Sequence, residues 1–155
     1  MNLLGMMELS GSALQAERIR AEVVAANMAN AETTRTASGG PYHRQHVVFE
    51  ADSNPNAGRQ SFAAQFAQFS GGMPGAANGV QGVKVAGVIE DKSPPLERYD
   101  PGHPDADANG YVAYPDINPL TEMVDLMGAN RAYGLNSSAV EAEKSMIQSS
   151  LEILK

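Results

Sequence analysis

Asp105, Asp107, Asn109, Gly110 and Asp116 stand in the order and spacing of a calcium-binding loop. In such a loop, oxygen donors fill the first, third and fifth positions. A glycine turns the chain at the sixth and an acid closes the shell at the twelfth. The chemistry would be reversible coordination of a hard cation, and the function that of a calcium-responsive soluble binding module. Two features of the same stretch oppose this. Asp116 is one methylene shorter than the glutamate that closes the shell with both oxygens. Pro101 and Pro104 deny the loop an entering helix, and the residues after Gly110 read as a strand. The competing reading is an acidic turn, because Asn109-Gly110 is a hairpin signal.

Other chemistry finds less to stand on. His43 and His46 lie three apart on an expected strand, so they face opposite sides, and His103 is remote from both. The chain has no cysteine, hence no thiolate ligand and no thiol nucleophile. No nucleophile elbow and no phosphate-cradling glycine motif occurs. We therefore expect no enzyme, no catalytic residue and no cofactor. The net charge is −7, and the stretch from Glu90 to Asp125 carries all of it, with nine acids against Lys92 and Arg98. Nucleic acid, which needs basic patches, is not an expected partner.

The elements that would position these residues are dominated by the two ends of the chain. Leu3, Met7, Ser10, Leu14, Glu17, Ala21, Val24 and Met28 recur at alternating steps of four and three. Leu9, Ala13, Ala16, Ile19 and Val23 form a flanking row that widens the stripe. A helix of about 39 Å is predicted over Leu3–Met28. At the other end Asn118 caps and Pro119 opens a second helix. Its stripe runs through Leu126, Ala129, Tyr133, Asn136, Val140, Glu143, Ile147, Ser150 and Leu154. Both stripes keep the 3.5-residue repeat of coiled coils. Asn27 and Asn30 are expected to end the first helix, asparagine being the usual substitute for glycine in a left-handed cap.

Strands are predicted at Tyr42–Glu50, Val83–Glu90 and Tyr111–Tyr114. The fold class is thus mainly α with a small β region. Long terminal helices (1–36 and 116–155) pair as a coiled-coil-like assembly core. A small β-rich middle element (37–52 and 83–115) and a Gly/Ala-rich loop (53–82) complete it. That loop holds Phe62, Phe66 and Phe69, three of the four phenylalanines, at the spacing of one helical face. They are expected to dock on an adjacent subunit or partner ring. No basic-then-apolar leader and no run approaching the ~18 residues of a membrane span is seen, so no membrane span is expected.

At this point the residues reach a family. The segments "SGSALQAERIRAEVVAANMANAETTRT" and "GGPYHRQHVVFE" resemble the flagellar axial rod/hook protein family of bacteria. Ala26-Asn27-Met28-Ala29-Asn30 carries the asparagine signature, and Pro41-Tyr42, Arg44 and Val47 to Phe49 carry the turn and strand that follow. The insertion "RTASGG", the stretch "SPPLERYDPGHPDADANGYVAYPDIN" and the opening "EMVDLMGANRAY" of the last helix resemble the proximal-rod members.

The resemblance implies a structural subunit of the flagellar basal-body rod. Such a subunit would be exported unfolded by the flagellar type III apparatus and assembled in the periplasm. Its terminal helices would pack with those of its own copies and of other rod proteins, inside surrounding basal-body rings. The resulting tube would transmit torque and wall the export channel. The seam residues expected at the assembly interface are Leu3, Met7, Leu14, Ala21, Val24, Met28, Leu126, Ala129, Tyr133, Asn136, Val140, Ile147 and Leu154.

Overall fold

A computed structural model of the chain describes residues 3–52 and 82–153. Phe62, Phe66, Phe69 and Leu154 lie outside the described residues, as does nearly all of the Gly/Ala-rich loop. The described elements run α1 (Leu3–Ala29), β1 (Gln45–Asp52), β2 (Gly82–Glu90), β3 (Leu96–Tyr99), β4 (Tyr111–Tyr114) and α2 (Pro119–Ile153). The two long terminal helices and two small antiparallel sheets make a mainly helical fold with a minor β part.

α1 and α2 pack along each other in opposite directions. Asn27 meets Glu122, Arg20 faces Asp125 and Ser10 meets Glu143, so rising numbers on one helix match falling numbers on the other. α1 also packs on β1 and β2, which places it between α2 and the first hairpin. The two rows of its stripe divide this work. Ser10, Glu17 and Ala21 face α2. Val23, from the flanking row, lines a groove with Val47 and Phe49 of the hairpin. Glu8, Gly11, Gln15, Arg18, Glu22 and Ala25 form the exposed side.

Among the described residues the core is small: its buried apolar side chains are Ala16, Val24, Val112, Ile117 and Ala129, two of the five being alanines. Along α2 the buried or half-buried residues Glu122, Leu126, Ala129, Asn136, Val140, Glu143 and Ile147 keep the expected repeat against α1. Tyr133, 44% exposed at the seam's edge, and Ser150, also exposed, depart from it. The start of α2 is built as its residues dictate: the Asn118 side chain accepts from Leu120 N–H at 3.0 Å, with Pro119 at the first helical position.

Three local expectations need correction. The first strand begins at Gln45 and not at Tyr42, because Tyr42 is engaged elsewhere: its N–H donates to Thr33 C=O at 3.0 Å. The strand β3 is additional. It pairs with β4 in the register Leu96↔Tyr114 to Tyr99↔Tyr111, and all four of its residues are exposed, so no alternation marks it. The end of α1 uses no left-handed asparagine, since no non-glycine described residue has positive φ. Instead the Asn30 amide folds back to donate to Ala26 C=O at 2.9 Å, and its oxygen accepts from Thr33 Oγ1 at 3.1 Å. The same carbonyl also accepts Asn30 N–H at 3.1 Å, so the side chain adds a second bond to the last turn.

The second hairpin, β3–β4, is tied to the core by loops. Val112, 1% exposed, lines a groove with Thr34, Arg35, Gly40 and Pro104. Gly110 closes the hairpin at φ +84°, and a Cβ there would stand 2.9 Å from Tyr99 Cε2 and 3.2 Å from Pro101 Cβ. Gly110→Ala is therefore expected to destabilise by about 1–3 kcal/mol, from both the left-handed backbone and the clash. Urea denaturation followed by circular dichroism checks it; an unchanged midpoint contradicts it.

Candidate functional site

The polar residues that the fold brings together lie where α1, β1 and the first turn of α2 meet. Asn27 sits inside α1, one residue after Ala26 in the asparagine signature, and is 1% exposed. Its amide makes four contacts. Nδ2 donates to Gln45 C=O at 2.9 Å and to Glu122 Oε2 at 3.1 Å. Oδ1 accepts from Gln45 N–H at 2.9 Å and from the Tyr42 hydroxyl at 3.1 Å. Both donors and both lone pairs are thus used. Towards Gln45 the side chain acts as a neighbouring strand's peptide would, satisfying both backbone groups at the start of β1. Burial, and then the Glu90 and Glu122 carboxylates, push the Tyr42 phenol above its ordinary value, which keeps its proton available to Asn27.

Glu122 is 1% exposed. Besides Asn27 it receives Arg44, whose Nε donates to Oε1 at 2.7 Å and whose Nη2 approaches the same oxygen. Arg44 reaches on to Asp125 at 3.9 Å, and Arg20 of α1 approaches Asp125 at 3.7 Å. One buried carboxylate, held by an arginine from the chain before β1 and an asparagine from α1, thereby fastens three elements. Its rim is a groove of about 350 Å³, with Val23, Val24, Val47 and Phe49 as apolar walls. The arrangement is a structural joint: every polar atom of the Asn27 amide and of the Glu122 carboxylate faces another protein group, and the buried charge is neutralised in place.

The calcium-like spacing resolves into separate uses. Asp107 Oδ1 accepts from Asn109 N–H and Tyr111 N–H, each at 2.8 Å. These bonds, the one from Tyr111 first, hold its carboxyl below the ordinary aspartate value. It is therefore charged at neutral pH and holds its turn there; that hold is lost only as pH falls through the depressed pKa. Asp105 accepts from Thr34 Oγ1 at 2.8 Å and lies 3.7 Å from Arg35, linking the second hairpin to the turn after α1. Asn109 bonds to Asp107, and Asp116 is exposed beyond β4. Among the described residues no three His, Asp or Glu side chains are grouped to hold a metal. His43 is exposed, His46 faces Asp91 at 3.5 Å, and His103 stands beside Asp105.

The sequence reading named Asn27 and Arg44 but gave Asn27 a different task, and it passed over Glu122. The signal was present. The α2 row Leu126, Ala129 continues backwards by four to Glu122, and the α1 flanking row Ile19, Val23 continues forwards by four to Asn27.

Comparison with known proteins gives the joint its context. A family described as flagella basal body rod protein matches residues 7–35. A second, described as the C-terminal part of flagellar basal body rod FlgEFG proteins, matches residues 108–153. The flagellar basal-body rod protein FlgC of Borreliella burgdorferi is 39% identical over 160 residues, covering 100% of this chain and 99% of its own length. Those of Salmonella typhimurium and Bacillus subtilis are each 39% identical over 153 residues, with 99% and 96% of this chain covered and 98% and 96% of theirs. The chain belongs to the FlgC family of flagellar basal-body rod proteins. The two family matches cover α1 with its asparagine end, and β4 with α2. Those segments contribute Asn27 and Glu122 to the joint, so the two rod-protein family matches at the ends of the chain include the residues that join those ends.

No described helix is long and apolar enough to cross a membrane.

Proposed function

We propose that the chain is a structural, non-catalytic subunit of the flagellar basal-body rod that polymerises through the outer face of α2. The observation that carries this is the distribution of apolar residues around that helix. Leu126, Ala129, Val140 and Ile147 face α1 of the same chain. Leu120, Val124, Met127 and Leu135 lie on the opposite side and are 69%, 56%, 58% and 66% exposed. A helix apolar on two opposite faces has one partner inside its own chain and calls for another outside it. In this reading the α1–α2 pair forms the wall of a tube whose other partners are neighbouring copies and other rod proteins. Torque transmission, passage through a flagellar export apparatus, contact with surrounding rings and a periplasmic position belong to the same proposal; FlgC relatives in the basal-body rod support them.

The inner seam residues, first expected to meet neighbours, serve in this reading to pair the helices before assembly. The two faces are separable by mutation. Val124→Asp is expected to leave circular dichroism and stability within about 0.5 kcal/mol of wild type, as for an exposed site, while abolishing incorporation into rods. Val140→Asp places a charge in the seam and is expected to lose folded helix as well. Basal bodies purified from cells expressing each variant, with denaturation of the isolated chains, test this. Normal incorporation of Val124→Asp would overturn the outer-face reading.

A further inference from the structure

The turn that leads into β4 holds a residue pair with a chemistry of its own. Asn109 is exposed and is followed by Gly110. In an Asn-Gly pair the glycine's backbone nitrogen can attack the asparagine Cγ, because no Cβ on the glycine stands in the way. The bond from Gly110 N to Asn109 Cγ forms and the Cγ–Nδ2 bond breaks. The proton lost by the peptide nitrogen leaves with the amide as ammonia, and a succinimide ring remains. Water then opens that ring at either carbonyl, leaving an aspartate or an isoaspartate at position 109. Water is the co-reactant, and nothing is oxidised or reduced.

The attack requires the Gly110 nitrogen to give up its proton and to turn towards Cγ. The folded turn holds that nitrogen in place. Gly110 N–H donates to Asp107 C=O at 3.0 Å, and Gly110 C=O accepts from Asp100 N–H at 2.9 Å. Asp107 Oδ1 takes the N–H groups of Asn109 and Tyr111, each at 2.8 Å, and Asp107 N–H donates to Tyr111 C=O at 2.8 Å. The Asn109 amide is itself drawn to Asp107 Oδ2, at 3.5 Å. The backbone around the pair is therefore fixed by Asp107 on one side and Asp100 on the other. Reaction has to wait for the turn to open, and β3, the strand beside it, is exposed along its whole length.

We infer that Asn109-Gly110 is a site of spontaneous deamidation, silent while Asp107 pins the turn and reactive whenever the hairpin opens. The isoaspartate product would also act on the fold. It routes the main chain through the side chain and so lengthens it by one carbon immediately before Gly110. That glycine stands at φ +84°, where even a Cβ would lie 2.9 Å from Tyr99 Cε2, so the turn has no room for the extra atom. The register Tyr99↔Tyr111 and the seating of Val112, 1% exposed, both depend on this turn. A chain converted to isoaspartate while open is thus expected to reclose its second hairpin poorly.

The full-length chain is incubated in mildly alkaline buffer, native and in urea, and digested for peptide mass spectrometry. The mapping separates position 109 from Asn78-Gly79, the other Asn-Gly pair in the sequence. Deamidation at 109 should be at least about tenfold slower in the native chain than in urea. Asp107→Ala should speed the native rate at least about fivefold, while Asp107→Asn, which keeps an acceptor oxygen, stays near wild type. Circular dichroism checks that the variants are folded. A second measurement uses the wild type alone: hydrogen exchange at the Gly110 amide needs the same opening, so both rates should rise together as urea is added below the unfolding transition. Equal rates in buffer and urea, no product at 109 in urea, a folded Asp107→Ala no faster than wild type, or deamidation that does not follow Gly110 exchange each overturn the inference.

Discussion

Arg44→Ala is expected to destabilise the chain by about 3–5 kcal/mol, the usual cost of removing one partner from a buried ion pair. The effect does not come from the attraction lost, since Arg44 itself keeps 26% of its side chain exposed. It comes from Glu122, which at 1% exposure would retain Asn27 as its only described donor. Because Glu122 fastens α2 to both α1 and the start of β1, the loss spreads over three elements, and urea denaturation should show a lower midpoint in one cooperative transition. A double variant, Arg44→Met with Glu122→Met, is expected to recover most of the stability, since replacing both charges by apolar groups of similar volume removes the desolvation cost as well. A loss under about 1 kcal/mol for Arg44→Ala would show that water reaches Glu122 and that the joint is not what holds the ends together.

The same joint shows where sequence reading succeeds and where it stops. Both long helices follow from apolar spacing, and α1 ends within a residue of Met28 because Asn30 and Thr33 there can bond the last turn. The cap on α2 follows from Asn118-Pro119 for the same local reason. Long-range polar bonds leave no periodic trace. Asn27 reads locally as a residue that stops helices, yet its four partners come from Tyr42, Gln45 and Glu122, up to 95 positions away. Strand β3 fails differently: Leu96–Tyr99 is short and wholly exposed, so only pairing with Tyr111–Tyr114 defines it. The Asp105–Asp116 spacing did describe a turn. Asp105 and Asp107 point into separate hydrogen bonds and Asp116 faces outwards, because Pro101 and Pro104 before the turn and β4 after it leave no helices to bring them together. The division of α2 into an inner and an outer face was the subtler case. A single 3.5-residue row fits the inner side, and Leu120, Met123, Val124 and Met127 enrich the first turns without announcing that their side remains open.

Glu143→Leu is expected to stabilise the isolated chain by about 1–3 kcal/mol. For a chain of this size that corresponds to a rise of roughly 2–10 °C in Tm. Glu143 occupies a seam position between Val140 and Ile147, is 6% exposed, and has Ser10 as its described donor, at a long 3.4 Å. Its second oxygen is buried without a partner. A carboxylate so placed gives up its hydration and receives one weak hydrogen bond in return, whereas leucine would fill the same seam with apolar contact. Glu143→Gln should fall between the two, since it removes the charge but keeps a polar group to satisfy. What the glutamate supplies instead is register at its own end of the pair: Asn27 and Glu122 pin the opposite end, and only one axial alignment of α1 against α2 also sets Ser10 opposite Glu143. The leucine variant should therefore be more stable and less uniquely paired, visible as a higher Tm by circular dichroism together with broader amide resonances along α2. A lower Tm for Glu143→Leu would mean that the carboxylate is held more firmly than one hydroxyl at 3.4 Å can hold it.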